Sequence, residues 1–126
     1  MKGIIGRGWS IRLHDAFEPE FAALPEAVQD ELLALLALLK EYGPDLGRPH
    51  ADTLNGSSFA NIKELRFRAD GGVWRVTYAF DPAREGLLLA AGNKSGVSER
   101  RFYRRLIARS DERFAAHLKM LEQKGK

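Results

Sequence analysis

The segment from Ile62 to Phe80 constrains the fold most. Between Ile62 and Arg68 side chains alternate, with Leu65 and Phe67 on one face of a strand and Glu64, Arg66 and Arg68 on the other. Asp70-Gly71-Gly72 follows, a signature of a tight hairpin turn, because these residues accept the left-handed backbone that such turns need. Alternation then resumes, with Trp74, Val76, Tyr78 and Phe80 on one face and Val73, Arg75 and Thr77 on the other. Two strands joined this closely must pair antiparallel. Setting both apolar faces on a core brings Glu64, Arg66, Arg68 and Arg75 together on the opposite face, which is expected to be uncovered. Three guanidinium groups there repel one another unless solvent or an anion lies between them, and their planar forks suit phosphate.

The flanking pattern supplies the remaining elements. Trp9–His14 alternates weakly and predicts a first strand, and a short helix is expected over about Glu18–Leu24. Pro25 suits the first position of a second helix, Glu26–Tyr42, where Val28, Leu32, Leu35, Leu36 and Leu39 recur at helical spacing. Gly43-Pro44 ends it and opens a loop that runs to Ser58. Three strands are predicted at about Asn61–Arg68, Val73–Phe80 and Gly86–Ala91, then a loop at Gly92–Gly96. Ser98 caps a last helix that reaches about Leu121, with a break expected near Ser110-Asp111. The expected architecture is α+β, a compact antiparallel sheet with helices packed on one face and a C-terminal helix. One domain is expected over residues 1–126, with residues 1–8, containing Gly3, Gly6 and Gly8, as a flexible tail.

Composition excludes several chemistries. Without cysteine there is no disulfide framework, thiol nucleophile or cysteine-based zinc site. The longest apolar run, Leu32–Leu39, is too short to cross a bilayer, and Met1–Leu13 has no apolar stretch of signal-peptide length, so a cytoplasmic protein without a membrane association is expected. His14, His50 and His117 lack metal-ligand spacing and read as structural. Charge is divided unevenly. Residues 1–56 carry five lysines and arginines against nine acids, and residues 57–126 carry fifteen against eight. A basic half on a small chain suits a polyanionic partner, or else a solvated, ion-paired surface.

Two further segments carry potential chemistry. The glycine-flanked loop Gly92-Asn93-Lys94-Ser95-Gly96 presents a lysine and backbone N–H groups, without the spacing of a nucleotide P-loop. Arg100-Arg101-Phe102-Tyr103-Arg104-Arg105 interleaves cations with aromatics, as surfaces that hold single-stranded nucleic acid do, although an amphipathic helix with solvated cations reads the same way. On the leucine-rich helix, Leu33 and Leu38 fall outside the main stripe, which leaves core packing or a protein contact, including a homodimer, as readings.

Taken in order, Leu46-Gly47-Arg48-Pro49-His50, Leu54-Asn55-Gly56-Ser57, Lys63-Glu64-Leu65-Arg66, Gly72–Asp81, Asn93-Lys94-Ser95-Gly96 and Arg101-Phe102-Tyr103 resemble the phage-derived Gp49-like branch of HigB toxins, within the RelE/ParE superfamily. The resemblance covers about Leu24–Leu121. It implies a type II toxin that cuts messenger RNA in the ribosomal A site, without metal or other cofactor, and that is neutralised by a cognate helix-turn-helix antitoxin. It also implies a site built from Glu64, Arg66, Arg75, Lys94 and Tyr103, with Lys63, Arg68, Arg100, Arg101 and Arg104 contacting RNA. Lys63 has the opposite strand parity from Glu64 and Arg66, so only a bulge or a strand end would re-aim it. Two other readings remain open at this level: a ParE-like toxin that binds a protein target such as DNA gyrase, and a non-catalytic nucleic-acid-binding regulator.

Overall fold

The computed structural model describes residues 8–125, so the expected tail lies, apart from Gly8, outside the described residues. The elements in order are β1 (Ser10–Leu13), α1 (Glu18–Ala22), α2 (Glu26–Tyr42), a 3-10 turn (Gly43–Asp45), β2 (Ala51–Thr53), β3 (Lys63–Ala69), β4 (Gly72–Phe80), β5 (Glu85–Asn93) and α3 (Glu99–Lys124). The five strands form one sheet in the order β1-β5-β4-β3-β2.

The β3–β4 hairpin forms as its sequence requires. Ala69 faces Gly72 across a two-residue turn, and both turn residues, Asp70 (φ 51°) and Gly71 (φ 72°), are left-handed. Two elements depart from expectation. β2 is a three-residue strand inside the segment expected to be loop, paired antiparallel with β3. β1 joins β5 in parallel, so one edge of an otherwise antiparallel sheet runs with its neighbour. Parallel pairing needs a long crossover, here the whole α1–β4 segment, and no local pattern announces it.

The helices lie on both faces, where a single covered face was expected. Leu32, Leu35 and Leu39 of α2 pack with Phe17 on Leu65, Val76, Tyr78 and Leu88. Phe102, Leu106 and Phe114 of α3 pack on Ala79, Leu87, Leu89 and Ala90, which belong to the opposite face. A register shift beside Thr77 and Tyr78 sets Leu89 out of step. Arg113 of α3 donates to the Leu89 carbonyl (2.7 Å) and forks onto Glu20 of α1 (2.9 and 2.6 Å). Leu38 packs partly on the first core, whereas Leu33 stays 53% exposed.

α3 runs without a break through Ser110-Asp111, against expectation. Ser110 is buried and shares a 2.7 Å hydrogen bond with the Thr77 hydroxyl, so its polar group meets the sheet and does not cap a new helix. Asp111 faces outward to the loop before β3, accepting from the Ser57 hydroxyl (2.6 Å) and the Ser58 backbone N–H (2.9 Å).

One core group is left without a partner. The Tyr78 hydroxyl is buried and makes no hydrogen bond among the described residues, and burial pushes its ionisation far above the usual range. An unpaired buried hydroxyl costs about 1–3 kcal/mol. Tyr78→Phe is therefore expected to stabilise the fold by about 1 kcal/mol, raising the thermal midpoint by roughly 4 °C. A lowered midpoint in a calorimetric scan would show that the hydroxyl is bonded in solution.

Candidate active site

The alternation of β3 and β4 brings Glu64, Arg66 and Arg75 to one face, with Arg66 directly opposite Arg75 and Glu64 opposite Thr77. That face is not open. The first turns of α3 cross it and leave Glu64 5% and Arg75 7% exposed. Ser98 starts the helix by accepting from the Arg101 backbone N–H (3.3 Å), and Phe102 anchors it beside Gly92, where a Cβ would come within 2.7 Å of the ring. Anchoring at Phe102 turns Tyr103 towards the sheet.

A short polar chain results. The Tyr103 hydroxyl donates to Glu64 Oε1 (2.9 Å), and Arg75 Nε donates to the Tyr103 oxygen (3.2 Å). Arg75 also donates to the Trp74 carbonyl (3.0 Å) and lies 3.8 Å from Glu64 Oε1. Arg66 Nε approaches the other Glu64 oxygen at 4.0 Å and, through a terminal nitrogen, Asp52 at 3.8 Å. Burial raises the Glu64 carboxyl above its ordinary range, and Tyr103, Arg75 and Arg66 only partly reverse this. Burial likewise raises Tyr103, against the pull of Arg75, so the phenol stays protonated.

The chain opens on a cleft of about 470 Å³ lined by Asp52, Thr53, Asn55, Glu64, Arg66, Glu99, Arg100 and Tyr103. Lys94 sits beside it. Its ammonium pairs with Glu99 (2.9 Å) and lies 5.9 Å from the centre of the Tyr103 ring. Lys94 holds Glu99 below the usual carboxylate range. The Thr53 backbone N–H, with Arg48 and Arg66, does the same for Asp52.

Of the residues singled out in the sequence, Glu64, Arg66, Arg75, Lys94, Tyr103 and Arg100 converge here. Arg75 is set behind Tyr103 and does not line the cleft, contrary to its expected place on an uncovered surface. Arg68, Arg101 and Arg104 are exposed outside the cleft walls. Among the described residues no carboxylate pairs with Arg68, Arg100, Arg101 or Arg104. Lys63 is corrected outright. Its ammonium donates to the Pro44 (3.2 Å) and Leu46 (2.6 Å) carbonyls, away from this face, as strand parity dictates. Asp52, Thr53, Asn55 and Glu99 were missed as cleft residues. Asp52 lies in a strand too short to show alternation, and Glu99 reads in the sequence only as a favourable first-turn acid.

No group of three or more histidine or acidic side chains that could hold a metal ion occurs among the described residues. No helix among them is long and apolar enough to cross a membrane.

The fold is that of the RelE-type toxins. A double mutant of the E. coli toxin RelE in its free state superposes with a TM-score of 0.55 over 79% of this chain and 98% of that one, at 14% identity. The chain belongs to the phage-derived Gp49-like protein family, whose model matches residues 19–115. It is also similar to two proteins of Mycobacterium tuberculosis (strain ATCC 25618 / H37Rv) that carry a provisional toxin designation. HigB2 is 45% identical over 92 residues, 72% of this chain but 45% of that protein's length. HigB3 is 41% identical over 93 residues, 74% of this chain and 79% of that protein.

Proposed function

We propose that the chain is the toxin of a type II toxin–antitoxin pair, a metal-independent endoribonuclease that cuts messenger RNA in the ribosomal A site in the cytoplasm and is silenced by a helix-turn-helix antitoxin. The observation that carries this reading is a buried carboxylate and a protonated phenol in direct hydrogen bond, facing a cleft walled by Arg66 and Arg100.

The chemistry follows from that pair. Glu64, whose carboxyl burial makes a stronger proton acceptor than an exposed one, takes the proton of a ribose 2′-hydroxyl. The 2′-oxygen bonds to phosphorus, and the bond to the 5′-oxygen breaks with its electrons on that oxygen. Tyr103, kept protonated by burial, gives the leaving oxygen its proton. The Glu64–Tyr103 hydrogen bond then returns the proton to the phenol. Arg66 and Arg100 offset charge on the non-bridging oxygens, with Lys94 reaching in from the Tyr103 ring. Arg75 positions Tyr103 from behind, and Arg68, Arg101 and Arg104 extend the cationic track for RNA outside the cleft.

The test is primer extension on messenger RNA after brief induction of wild type, Arg66→Ala and Arg75→Ala, with thermal melting as the folding control. Cuts within translated frames that fade at least tenfold in the folded variants are expected. Growth arrest without cuts would instead point to a protein target such as DNA gyrase, and neither arrest nor cuts would sink the toxin reading.

A further inference from the structure

Two residues that stand outside the cleavage chemistry meet on the other face of the sheet. Lys63 and Tyr78 are direct cross-strand partners in the β3–β4 register, and Thr53 faces Lys63 from β2. Tyr78 packs with Leu32, Leu35 and Leu39 of α2, so this row lies on the face opposite Glu64 and Arg75. All three residues line a pocket of about 440 Å³ that is walled further by Pro44, Ala60, Asn61 and Phe80. Its volume falls within the range of small-molecule sites, roughly 300–1,000 Å³. It shares only Thr53 with the cleft on the other face.

Both polar groups of the row have a donor to spare. An ammonium has three N–H donors, and Lys63 gives two of them, to the Pro44 and Leu46 carbonyls. Among the described residues no carboxylate pairs with it. The Tyr78 hydroxyl is fully buried and has no hydrogen-bond partner among the described residues. Burial keeps the phenol protonated, so it is a donor that lacks an acceptor. Buried polar groups are nearly always partnered, and an exception calls for a cause. One wall of the pocket is tied down, because the Asn61 side-chain amide donates to the Phe80 carbonyl (3.1 Å).

We infer that this pocket binds a small organic carboxylate with an apolar body. One carboxylate oxygen accepts the Tyr78 O–H and the other the spare Lys63 N–H, while Phe80, Ala60 and Pro44 receive the apolar part. Hydrogen bonds in which one partner is charged are the stronger ones, and here both act on the same anion. A single negative charge is matched by the single ammonium, whereas a phosphate dianion would bring buried charge without a partner. Tyr78 is sealed from solvent, so the flexible stem of Lys63, its cross-strand neighbour, gives way as the ligand enters. The inference is independent of the ribonuclease reading, since it uses the opposite face of the sheet and is tested by binding alone.

The experiment titrates the full chain with phenylacetate and with 3-methylbutanoate while following backbone amide resonances, with phenylacetamide and inorganic phosphate as controls. Both carboxylates should shift the amides of residues 60–63 and 78–80 and leave those of Arg100 and Tyr103 in place. Phenylacetamide, which has the same shape without the charge, should bind roughly tenfold more weakly or worse. Tyr78→Phe, expected to fold at least as well as wild type, should weaken phenylacetate binding roughly tenfold, and Lys63→Met should weaken it further. If Lys63→Met fails to fold because it strands two carbonyls, Tyr78→Phe and the amide control still decide. Tyr78→Phe binding as tightly as wild type, phosphate binding as tightly as phenylacetate, or shifts centred on Arg66 and Arg100 would overturn the assignment. So would the absence of any shift at about 10 mM of either carboxylate.

Discussion

Glu64→Gln should lower the rate of message cleavage by roughly a hundredfold to ten-thousandfold, the usual contribution of a positioned general base. The substitution keeps the shape of the side chain and an acceptor for the Tyr103 hydroxyl, so the polar chain over the sheet should survive. Wild-type cleavage should rise with pH through the raised ionisation of Glu64, because the base works only when deprotonated. In Glu64→Gln that acid limb should vanish along with the rate. Stability provides the control, with its sign set by the same shift. A carboxyl raised in the fold is favoured in its protonated form, so its ionisation opposes folding at neutral pH and the penalty eases as pH falls through the folded value. Glutamine carries no such penalty, and the variant should melt no lower than wild type at pH 7. Cleavage measured on ribosome-bound message across pH checks the first part, and thermal melting the second. A variant with full activity and an unchanged pH limb would remove Glu64 from the chemistry.

The half of the site that lies on β3 and β4 is legible in the sequence because a strand has a period of two and the turn between them is unmistakable. Parity alone puts Glu64, Arg66 and Arg75 on one face, and the same parity points Lys63 away. What the pattern does not show is that α3 lies over those residues. An amphipathic helix declares which of its own faces is apolar but not which face of a sheet receives it. The clue is present in small residues: Thr77, Ala79, Ala90 and Gly92 leave room on that face, and Ser110 stands where a helix would otherwise bury an apolar side chain. Covering Glu64 and Arg75 changes their chemistry. An exposed carboxylate beside three arginines would be held fully ionised, whereas burial favours the protonated form, so the helix that hides Glu64 also raises its ionisation. β2 and the pairing of β1 are hidden for other reasons. Three residues are too few to display alternation, and a parallel partner reached across most of the chain leaves no local trace.

Asp81→Ala is expected to cost about 3 kcal/mol of folding stability, a fall of roughly 10 °C in the thermal midpoint. Asp81 and His117 lie 36 residues apart, 5% and 3% exposed, with their polar atoms 2.7 Å apart. The carboxylate also accepts the Glu85 backbone N–H (3.0 Å), so it ties the β4–β5 turn to the far half of α3. Removing it strands a buried imidazole and a turn N–H together, and that abandonment carries most of the cost. Burial pushes the Asp81 carboxyl up, but hydrogen bonds from His117 and from the Glu85 and Ala83 backbone outweigh it, and the net ionisation is lowered. A lowered carboxyl stabilises the fold fully above its unfolded value, about 3.9, and loses that contribution as pH falls through the lower folded value. The gap between wild type and variant should therefore hold from neutral pH down to about 4 and narrow below it. Because α3 also carries Tyr103, the variant tests more than stability. If the helix moves as one rigid rod, loosening its far half should weaken the Tyr103–Glu64 contact and lower cleavage even well below the melting temperature. If cleavage at low temperature is untouched while the midpoint falls, Phe102 and the Ser98 cap hold Tyr103 without help from the far end of the helix.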